Sequence, residues 1–264
     1  MAVVIDSTAR ISSKAQLGEN VTVGPYAIIG DENIIGDGCE IASHAIIHCY
    51  TTMGRDCRVA SFASVGTKPQ DLKYNNEPTT LKIGDRCDIR EYVTLSRGTI
   101  AHGSTVIGSD CLIMANAHVA HDCIVGDHCI LANSSALAGH VTLGNWVNLG
   151  GLTPVHQFVR IGDHTIIGGG YRVPKDIPPY VRAGREPLVY EGLNIVGLRR
   201  RGFSQETIAT IDKAYTILYL SNLNVSQAVE RIKQEVPLIP EVQNILDFIA
   251  KSQRGIIAGP KIGK

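Results

Sequence analysis

Residues 107–173 read IGSDCLIMANAHVAHDCIVGDHCILANSSALAGHVTLGNWVNLGGLTPVHQFVRIGDHTIIGGGYRV, and every sixth residue in that run is aliphatic. The beat falls on Ile107, Ile113, Val119, Val125, Leu131, Leu137, Leu143, Leu149, Val155, Ile161, Ile167 and Val173 without a break. A six-residue period matches neither the 3.6-residue turn of a helix nor the two-residue alternation of a long strand. It is the mark of a parallel β-helix in which each hexad is one short strand and one turn. Three hexads make a triangular coil, so residues n and n+18 stack on neighbouring coils about 4.7–4.9 Å apart.

Counting by eighteen gathers the polar residues that lie off the beat. His121 stacks under Gly139, and Gly139 under Gln157; Asp122 falls beside His140, and Ala138 beside His156. Histidines, an aspartate and a glutamine spread between residues 118 and 157 therefore meet at one edge of the prism, a site geometry obtained from spacing alone.

Upstream, the same phase runs from Ile11 through Leu17, Val23, Ile29, Ile35, Ile41, Ile47, Met53, Val59 and Val65, fails at Asp71 and Glu77, resumes at Ile83, and misses once more at Ala101. Of the 28 positions in this phase between 11 and 173, 25 are Ile, Leu, Val or Met, which excludes chance. Glycines that follow the beat, such as Gly18, Gly24, Gly36 and Gly66, suit corners that need positive φ or close backbone approach. The polar, proline-bracketed text at 66–82 predicts an inserted loop that leaves the prism, and long loops on a rigid scaffold are where function concentrates. Six of the seven cysteines (Cys39, Cys57, Cys87, Cys111, Cys123, Cys129) stand two residues before a beat, on the same inward side of the strand. With no CxxC pair they are small core fillers, not a disulfide or zinc framework.

Past Val173 the pattern ends in Pro174, Pro178 and Pro179. Helical spacing follows at 193–201, at 205–220 behind a Ser204 N-cap, at 225–236, and from Pro240 to about residue 252 with Gly255 as the stop. The expected organisation is a prism at 1–186 carrying the inserted loop 66–82, then a small C-terminal helical domain at 187–264 whose last residues, from Ala258, are disordered. The formal net charge is zero, and no basic run interleaved with aromatics appears, which excludes a general nucleic-acid binder. The first ten residues lack a charged and apolar leader, and no stretch reaches eighteen apolar residues. A cytoplasmic protein with no transmembrane segment is expected.

Five motifs together resemble one family over nearly the whole chain: Gln70-Asp71-Leu72-Lys73-Tyr74; Ala117 to Cys123 with its His-x-x-His-Asp core; Ala138-Gly139-His140; Val155-His156-Gln157-Phe158; and Gly197-Leu198-Arg199-Arg200-Arg201-Gly202-Phe203. The chain resembles the acyl-[acyl-carrier-protein]–UDP-N-acetylglucosamine O-acyltransferases, which catalyse the first step of lipid A synthesis. The resemblance implies a mainly β fold, a left-handed parallel β-helix of hexapeptide repeats followed by a small α-helical domain. That hand is an exception to the usual right-handed crossover. It also implies transfer of a 3-hydroxyacyl group from the acyl carrier protein thioester to the 3-hydroxyl of UDP-N-acetylglucosamine, by homotrimers with sites between subunits.

A sugar hydroxyl needs a base to take its proton as it attacks, and His121 matches the family's base. Asp122 orients that ring or raises its basicity, and the backbone N–H of Gly139 matches the donor to the tetrahedral oxyanion. A thioester is already activated, so no cofactor, metal or covalent intermediate is implied. By the same resemblance His118, His140, His156 and Gln157 contact sugar or acyl chain, Gln70, Asp71 and Lys73 approach the acceptor across a subunit boundary, and Asn194, Arg200 and Arg201 contact the nucleotide. Gly169 matches the position that limits acyl length. Val196 departs from the family, where many members carry a glutamate.

Other readings stand beside these. The acceptor is a 3-amino sugar in some members, and hexapeptide prisms also serve as other acyltransferases, zinc hydratases and non-catalytic scaffolds. His118 and His121 are spaced as a zinc pair, but no third ligand at metal spacing is evident. His44, His48, His128 and His164 read as solvated turn histidines; the lesser alternative is ordinary loop charge for Asp71 and Lys73, and a solvated face or a patch for the acidic carrier protein for Arg199 to Arg201.

Overall fold

The computed structural model describes residues 3–260. Three sheets of 11, 8 and 8 strands, parallel except for the last strand of the first, form the faces of a triangular prism, a left-handed parallel β-helix. The chain visits them in rotation: Val4–Ile5 on the first face, Arg10–Ile11 on the second, Gln16–Leu17 on the third, then Thr22–Val23 back on the first. In each two-residue strand the first side chain points out and the second, the beat residue, points in. Ile29, Ile41, Leu131 and Leu149 are at most 1% exposed for that reason. The six cysteines are buried free thiols in the same core; Cys111 Sγ–H donates to Gly126 O (3.2 Å) and Cys129 Sγ–H to Gly144 O (3.1 Å).

Register is 18 residues for most neighbouring strands, as in Val4↔Thr22 and Gln16↔Ile34. It lengthens to 30 at Ser64↔Thr94 and to 24 at Thr94↔His118, by two hexads and by one. Insertion in whole hexads is why the beat returns in phase, and Asp71, Glu77 and Ala101 are the beat positions carried away from the core. The first insertion is narrower than 66–82, because Ser64–Thr67 and Thr80–Ile83 pair in the sheets and only 68–79 leave the prism. The second, 97–103, lies between Thr94–Ser96 and Ser104–Ile107. Both leave from the edge joining the second and third faces.

The corners are not turned by the glycines after the beat. The left-handed residue falls two places later, at Asn20, Tyr26, Asp122, His140 and Trp146 among others. Gly36 is needed for close approach instead: a Cβ there would stand 2.6 Å from the carbonyl carbon of Gly54 on the next coil. Gly66 alone of the four named above has positive φ, +78°.

The prism also runs past Val173. Ile161 bridges Ile177, and Ile166–Ile167 pairs with Val181–Gly184, which turns back antiparallel to Val189–Leu193 and covers the open end of the first sheet. The expected division at 186/187 falls in the turn of that hairpin. Four helices follow, α1 (Ile195–Arg200), α2 (Gln205–Leu220), α3 (Val225–Glu235) and α4 (Pro240–Ala250). Ser204 Oγ accepts from Thr207 N, Asn224 and Gln227 form a capping box, and Pro240 opens α4. Ile208, Ile211, Ala214, Tyr215 and Leu218 make the buried face of α2, and Tyr215 hydroxyl donates to Pro179 O on the prism end. The disorder expected from Ala258 does not begin there: Ala258 bridges Val189 and accepts from Tyr190 N at 2.9 Å. Residues 261–264 lie outside the described residues.

Candidate active site

The second–third edge carries, coil after coil, Cys49 and Tyr50, the two insertions, His121 and Asp122, Gly139 and His140, then Gln157 and Phe158. The β-helix therefore delivers to one line the residues that spacing had grouped, and His140 N donates to His121 O across the coils at 3.0 Å.

His121 and Asp122 are buried, 8% and 1% exposed. Asp122 Oδ2 stands 2.8 Å from His121 Nδ1. A carboxylate only accepts, so it fixes the proton on Nδ1 and leaves the Nε2 lone pair free for chemistry. Thr99 anchors the carboxylate through its backbone N (2.9 Å) and hydroxyl (2.6 Å), and Asp122 N donates to Thr105 Oγ1 (2.8 Å). Burial alone would raise the Asp122 pKa; the hydrogen bonds from Thr99 and His121 outweigh it and hold the group below its ordinary value, charged at neutral pH. His140 Nε2 lies 3.7 Å from the same oxygen and its ring meets that of His121 edge-on. Burial lowers the His140 pKa against the pull of Asp122, which favours the neutral ring. Asp71, from the loop of the same chain, is close enough to act on His140 in the opposite sense.

Gly139 sits flat against the imidazole, and a Cβ there would stand 2.6 Å from His121 Cε1 and 2.8 Å from Nε2. Its buried N–H finds no acceptor among the described residues. A buried donor left open beside a free Nε2 is the arrangement an oxyanion requires.

Around this centre His118 projects from the second face with Nδ1 2.6 Å from Thr94 Oγ1, its pKa lowered by burial and by His121. His156 is exposed with Nδ1 3.1 Å from Gln157 O, and Gln157 is half-buried. Gln70 and Lys73 are exposed on the loop, and Asp71 Oδ1 accepts from Lys73 N (2.9 Å). Beside His156 an apolar groove of about 390 Å³ runs between Pro154, Val155, Val173, Pro174, Pro187 and Leu188, with the Arg172–Glu186 ion pair at its rim.

Four expected site residues lie elsewhere on the chain. Asn194 caps α1, accepting from Gly197 N (3.2 Å) and donating to His164 O (2.8 Å), so its amide is engaged at both ends. Arg201 lies half-buried over Trp146, 4.6 Å from the ring centroid, on the third–first edge, with Nη1 unpartnered among the described residues; Arg200 is exposed beside it. Gly169 is on the first–second edge, its Cβ direction 3.0 Å from Gly151 O.

The structure corrects two readings of histidines and one of metal. His164 is not solvated: its ring lies between Trp146 and Tyr180, and burial, with Arg201 beside it, takes its pKa to about 4. His48 is half-buried with Nε2 2.9 Å from Ser64 Oγ. A third potential ligand does gather at His121, since His121, Asp122 and His140 offer donor atoms all within 4.8 Å of one another, while His118 is not in that group. Asp122 already accepts from Thr99 and His121, so an ion would have to displace those bonds. Thr99, Arg97, Tyr74 and His102 were invisible to counting, because the inserted hexads leave the 18-residue lattice. The one signal was that both insertions depart from the edge bearing His121.

Comparison with known proteins follows this geometry. Residues 176–257 match the family described as "Udp N-acetylglucosamine O-acyltransferase; Domain 2", and residues 14–49 and 104–139 match "Bacterial transferase hexapeptide (six repeats)". The acyl-[acyl-carrier-protein]–UDP-N-acetylglucosamine O-acyltransferase of Thermodesulfovibrio yellowstonii is 46% identical over 253 residues, 96% of this chain and 98% of the relative. Its namesake in Paraburkholderia phymatum is 44% identical over 258 residues, with the same coverage of each chain. The crystal structure of a UDP-N-acetylglucosamine acyltransferase from Bacteroides fragilis 9343 superposes with a TM-score of 0.94 at 45% identity, covering 96% of this chain and 99% of that one.

Proposed function

The chain belongs to the acyl-[acyl-carrier-protein]–UDP-N-acetylglucosamine O-acyltransferase family, and from that premise we propose that the His121 edge is where its transfer occurs. The protein is an acyltransferase of lipid A biosynthesis, with acyl carrier protein and UDP-N-acetylglucosamine as its substrates. His121 Nε2 takes the proton of the 3-hydroxyl as that oxygen attacks the thioester carbonyl. The Gly139 N–H receives the developing oxyanion, and Asp122 stabilises the imidazolium that forms. Collapse breaks the C–S bond, and the carrier thiolate leaves with the proton held on His121. His118, His140 and Gln157 wall the sugar, His156 opens onto the apolar groove that takes the acyl chain, and Gly169 bears on its length.

The observation that carries this reading is the oriented His121–Asp122 pair with the open Gly139 N–H packed against it. Within one prism Asn194, Arg200 and Arg201 lie on or beside a different edge. A homotrimer that sets the third–first edge of one subunit against the second–third edge of the next supplies nucleotide contacts to each His121. Gln70, Asp71 and Lys73 then serve the acceptor from the loop. A prism over 1–186 and a helical domain over 187–264 remain the working division. Among the described residues no helix is long and apolar enough to cross a membrane, and a cytoplasmic location fits both substrates.

The test is a mass-spectrometric transfer assay with UDP-N-acetylglucosamine or its 3-amino analogue, carrier proteins loaded with 3-hydroxyacyl chains of graded length, and chelator present or absent. One added acyl group on the 3-hydroxyl sugar, unaffected by chelator, is the expected product. Product from the 3-amino sugar alone would reassign the acceptor, chelator-sensitive product would bring a metal into the site, and no product from either sugar would leave a scaffold.

A further inference from the structure

We propose that residues 97–102 act as a strap that sets the 68–79 loop against the catalytic pair, with Arg97 as its positioning residue; this rests on the reading that the loop serves the acceptor. Arg97 is 5% exposed, and among the described residues no carboxylate pairs with it. Its guanidinium spans two elements instead: Nη1 donates to Cys49 O (3.2 Å) on the prism, while Nε and Nη2 donate to Tyr74 hydroxyl (3.2 and 2.9 Å) in the loop. The rings of Tyr50 and Tyr74 lie over it, with centroids 5.4 and 5.8 Å from Cζ. Tyr74 hydroxyl in turn donates to Glu77 O (2.7 Å), closing the loop on itself.

The other side-chain hydrogen bonds of the loop are internal, Lys68 to Asn76, Lys73 N to Asp71 and Asn75 N to Glu77. Among the described residues the Arg97–Tyr74 contact is thus the one that ties residues 68–79 to the prism by side-chain hydrogen bonds. The strap's backbone also grips the loop's two roots, Arg97 N donating to Thr67 O (2.9 Å) and Gly98 N to Thr80 O (3.0 Å). A Cβ on Gly98 would stand 2.4 Å from Ser104 N, so the strap lies too close to the prism for a side chain there.

Two residues further on, Thr99 holds both oxygens of Asp122, and His102 packs edge-on against His140, with ring centroids 5.2 Å apart. Six consecutive residues therefore touch the acceptor loop at one end and the catalytic pair at the other. Burying a guanidinium without a counter-charge is costly. An apolar residue would serve stability alone at this position; one that must fix a loop tip needs the directional donors.

Arg97→Met, Tyr74→Phe and Thr99→Val separate the two ends. Steady-state kinetics are paired with tryptic cleavage after Lys73, read by mass spectrometry; Lys68 is followed by Pro69 and does not compete. Arg97→Met is expected to raise KM for UDP-N-acetylglucosamine by about 10-fold with kcat within about threefold, and to speed cleavage at Lys73 by about 10-fold. Tyr74→Phe should do the same to a smaller degree, and it carries the test if Arg97→Met does not fold. Thr99→Val should lower kcat and shift its pH profile with cleavage at Lys73 unchanged. Wild-type KM and wild-type cleavage in a folded Arg97→Met, or a loss confined to kcat, would overturn the strap. If the wild-type protein transfers no acyl group, the functional reading fails on its own, and the cleavage rates still decide whether Arg97 holds the loop.

Discussion

On the second–third edge of the prism Asp122, His140 and Phe158 fill the left-handed corner on successive coils; on the third–first edge His128, Trp146 and His164 do so. Backbone, stacking interval and even the histidine–aromatic pairing agree, with His140 on Phe158 at 4.7 Å and His128 on Trp146 at 3.9 Å. The edges differ one residue earlier in each turn. On the third–first edge that place holds Ser109, Asp127, Asn145 and Asp163, and each short side chain caps the N–H of the coil before it: Ser109 N to Asp127 (2.7 Å), Asp127 N to Asn145 (2.8 Å), Asn145 N to Asp163 (2.7 Å). On the other edge the place holds His121, Gly139 and Gln157, and the Gly139 N–H stays open among the described residues. One edge caps its corner donors; on the other the N–H groups of His121, Gly139 and Gln157 all go uncapped among the described residues, and that of Gly139 belongs to the residue packed against the His121 ring.

The comparison breaks most directly at His121. His121→Ala should leave folding unchanged and lower kcat by about 10²–10⁴-fold, the range for a positioned general base. Near-normal turnover in a folded variant would remove His121 from the mechanism and leave the two edges chemically alike.

A sharper test makes the reactive edge imitate the structural one. Gln157→Asp places a short carboxylate where Asp163 sits on the other edge, able to accept from Gly139 N as Asp163 accepts from Asn145 N. Removing an oxyanion donor elsewhere costs about 10²–10³-fold, so Gln157→Asp should turn over at least about 10-fold more slowly than Gln157→Ala, which loses the side chain without supplying a cap. Equal kcat for the two variants would dismiss the Gly139 N–H as the oxyanion donor.

How much of this contrast was legible in the sequence depends on whether a residue stays on the lattice. His121, Gly139, His140 and Gln157 are countable because the 18-residue register holds through them, as His118↔Ala136 and Ala136↔Pro154 show. The missing Asp or Asn at 139 and 157 was in plain sight once 127, 145 and 163 are set beside them. Thr99 and Arg97 lie on an extruded hexad whose path follows no period. His164 differs from a solvated turn histidine for another reason: besides its stack between Trp146 and Tyr180, Phe203, 39 positions later, packs edge-on against it from the folded tail. Asn194, proposed at the nucleotide, also caps the helix that begins at Ile195, a role its place immediately before that residue carries.

That covered histidine gives the third prediction. The His164 pKa, about 4, lies below the ordinary 6.5, so the folded state holds the ring neutral and the unfolded chain binds the extra proton. Its contribution to stability is complete above about pH 6.5 and is lost as pH falls toward 4. Tm should drop across that window in the wild type. His164→Phe keeps the stack with Trp146 and Tyr180 and removes the proton, so it should flatten part of the drop. Parallel Tm–pH curves would mean that the third–first histidine titrates as freely as a solvated one.

The smallest expected effect isolates one rung of the structural edge. Asn145→Ala deletes the acceptor of Asp127 N and leaves the Asn145 N–H on Asp163. The freed donor is exposed and turns to water, so the loss is that of one neutral hydrogen bond, roughly 0.5–1.5 kcal/mol and toward the lower end. Denaturant unfolding should show that loss, and kcat and KM should stay unchanged, because the nucleotide contacts proposed for this edge belong to Asn194, Arg200 and Arg201 and not to Asn145. A fall in kcat without a fall in stability would mean that the capped turn itself, beside Arg200 and Arg201, enters the reactive site of the neighbouring subunit.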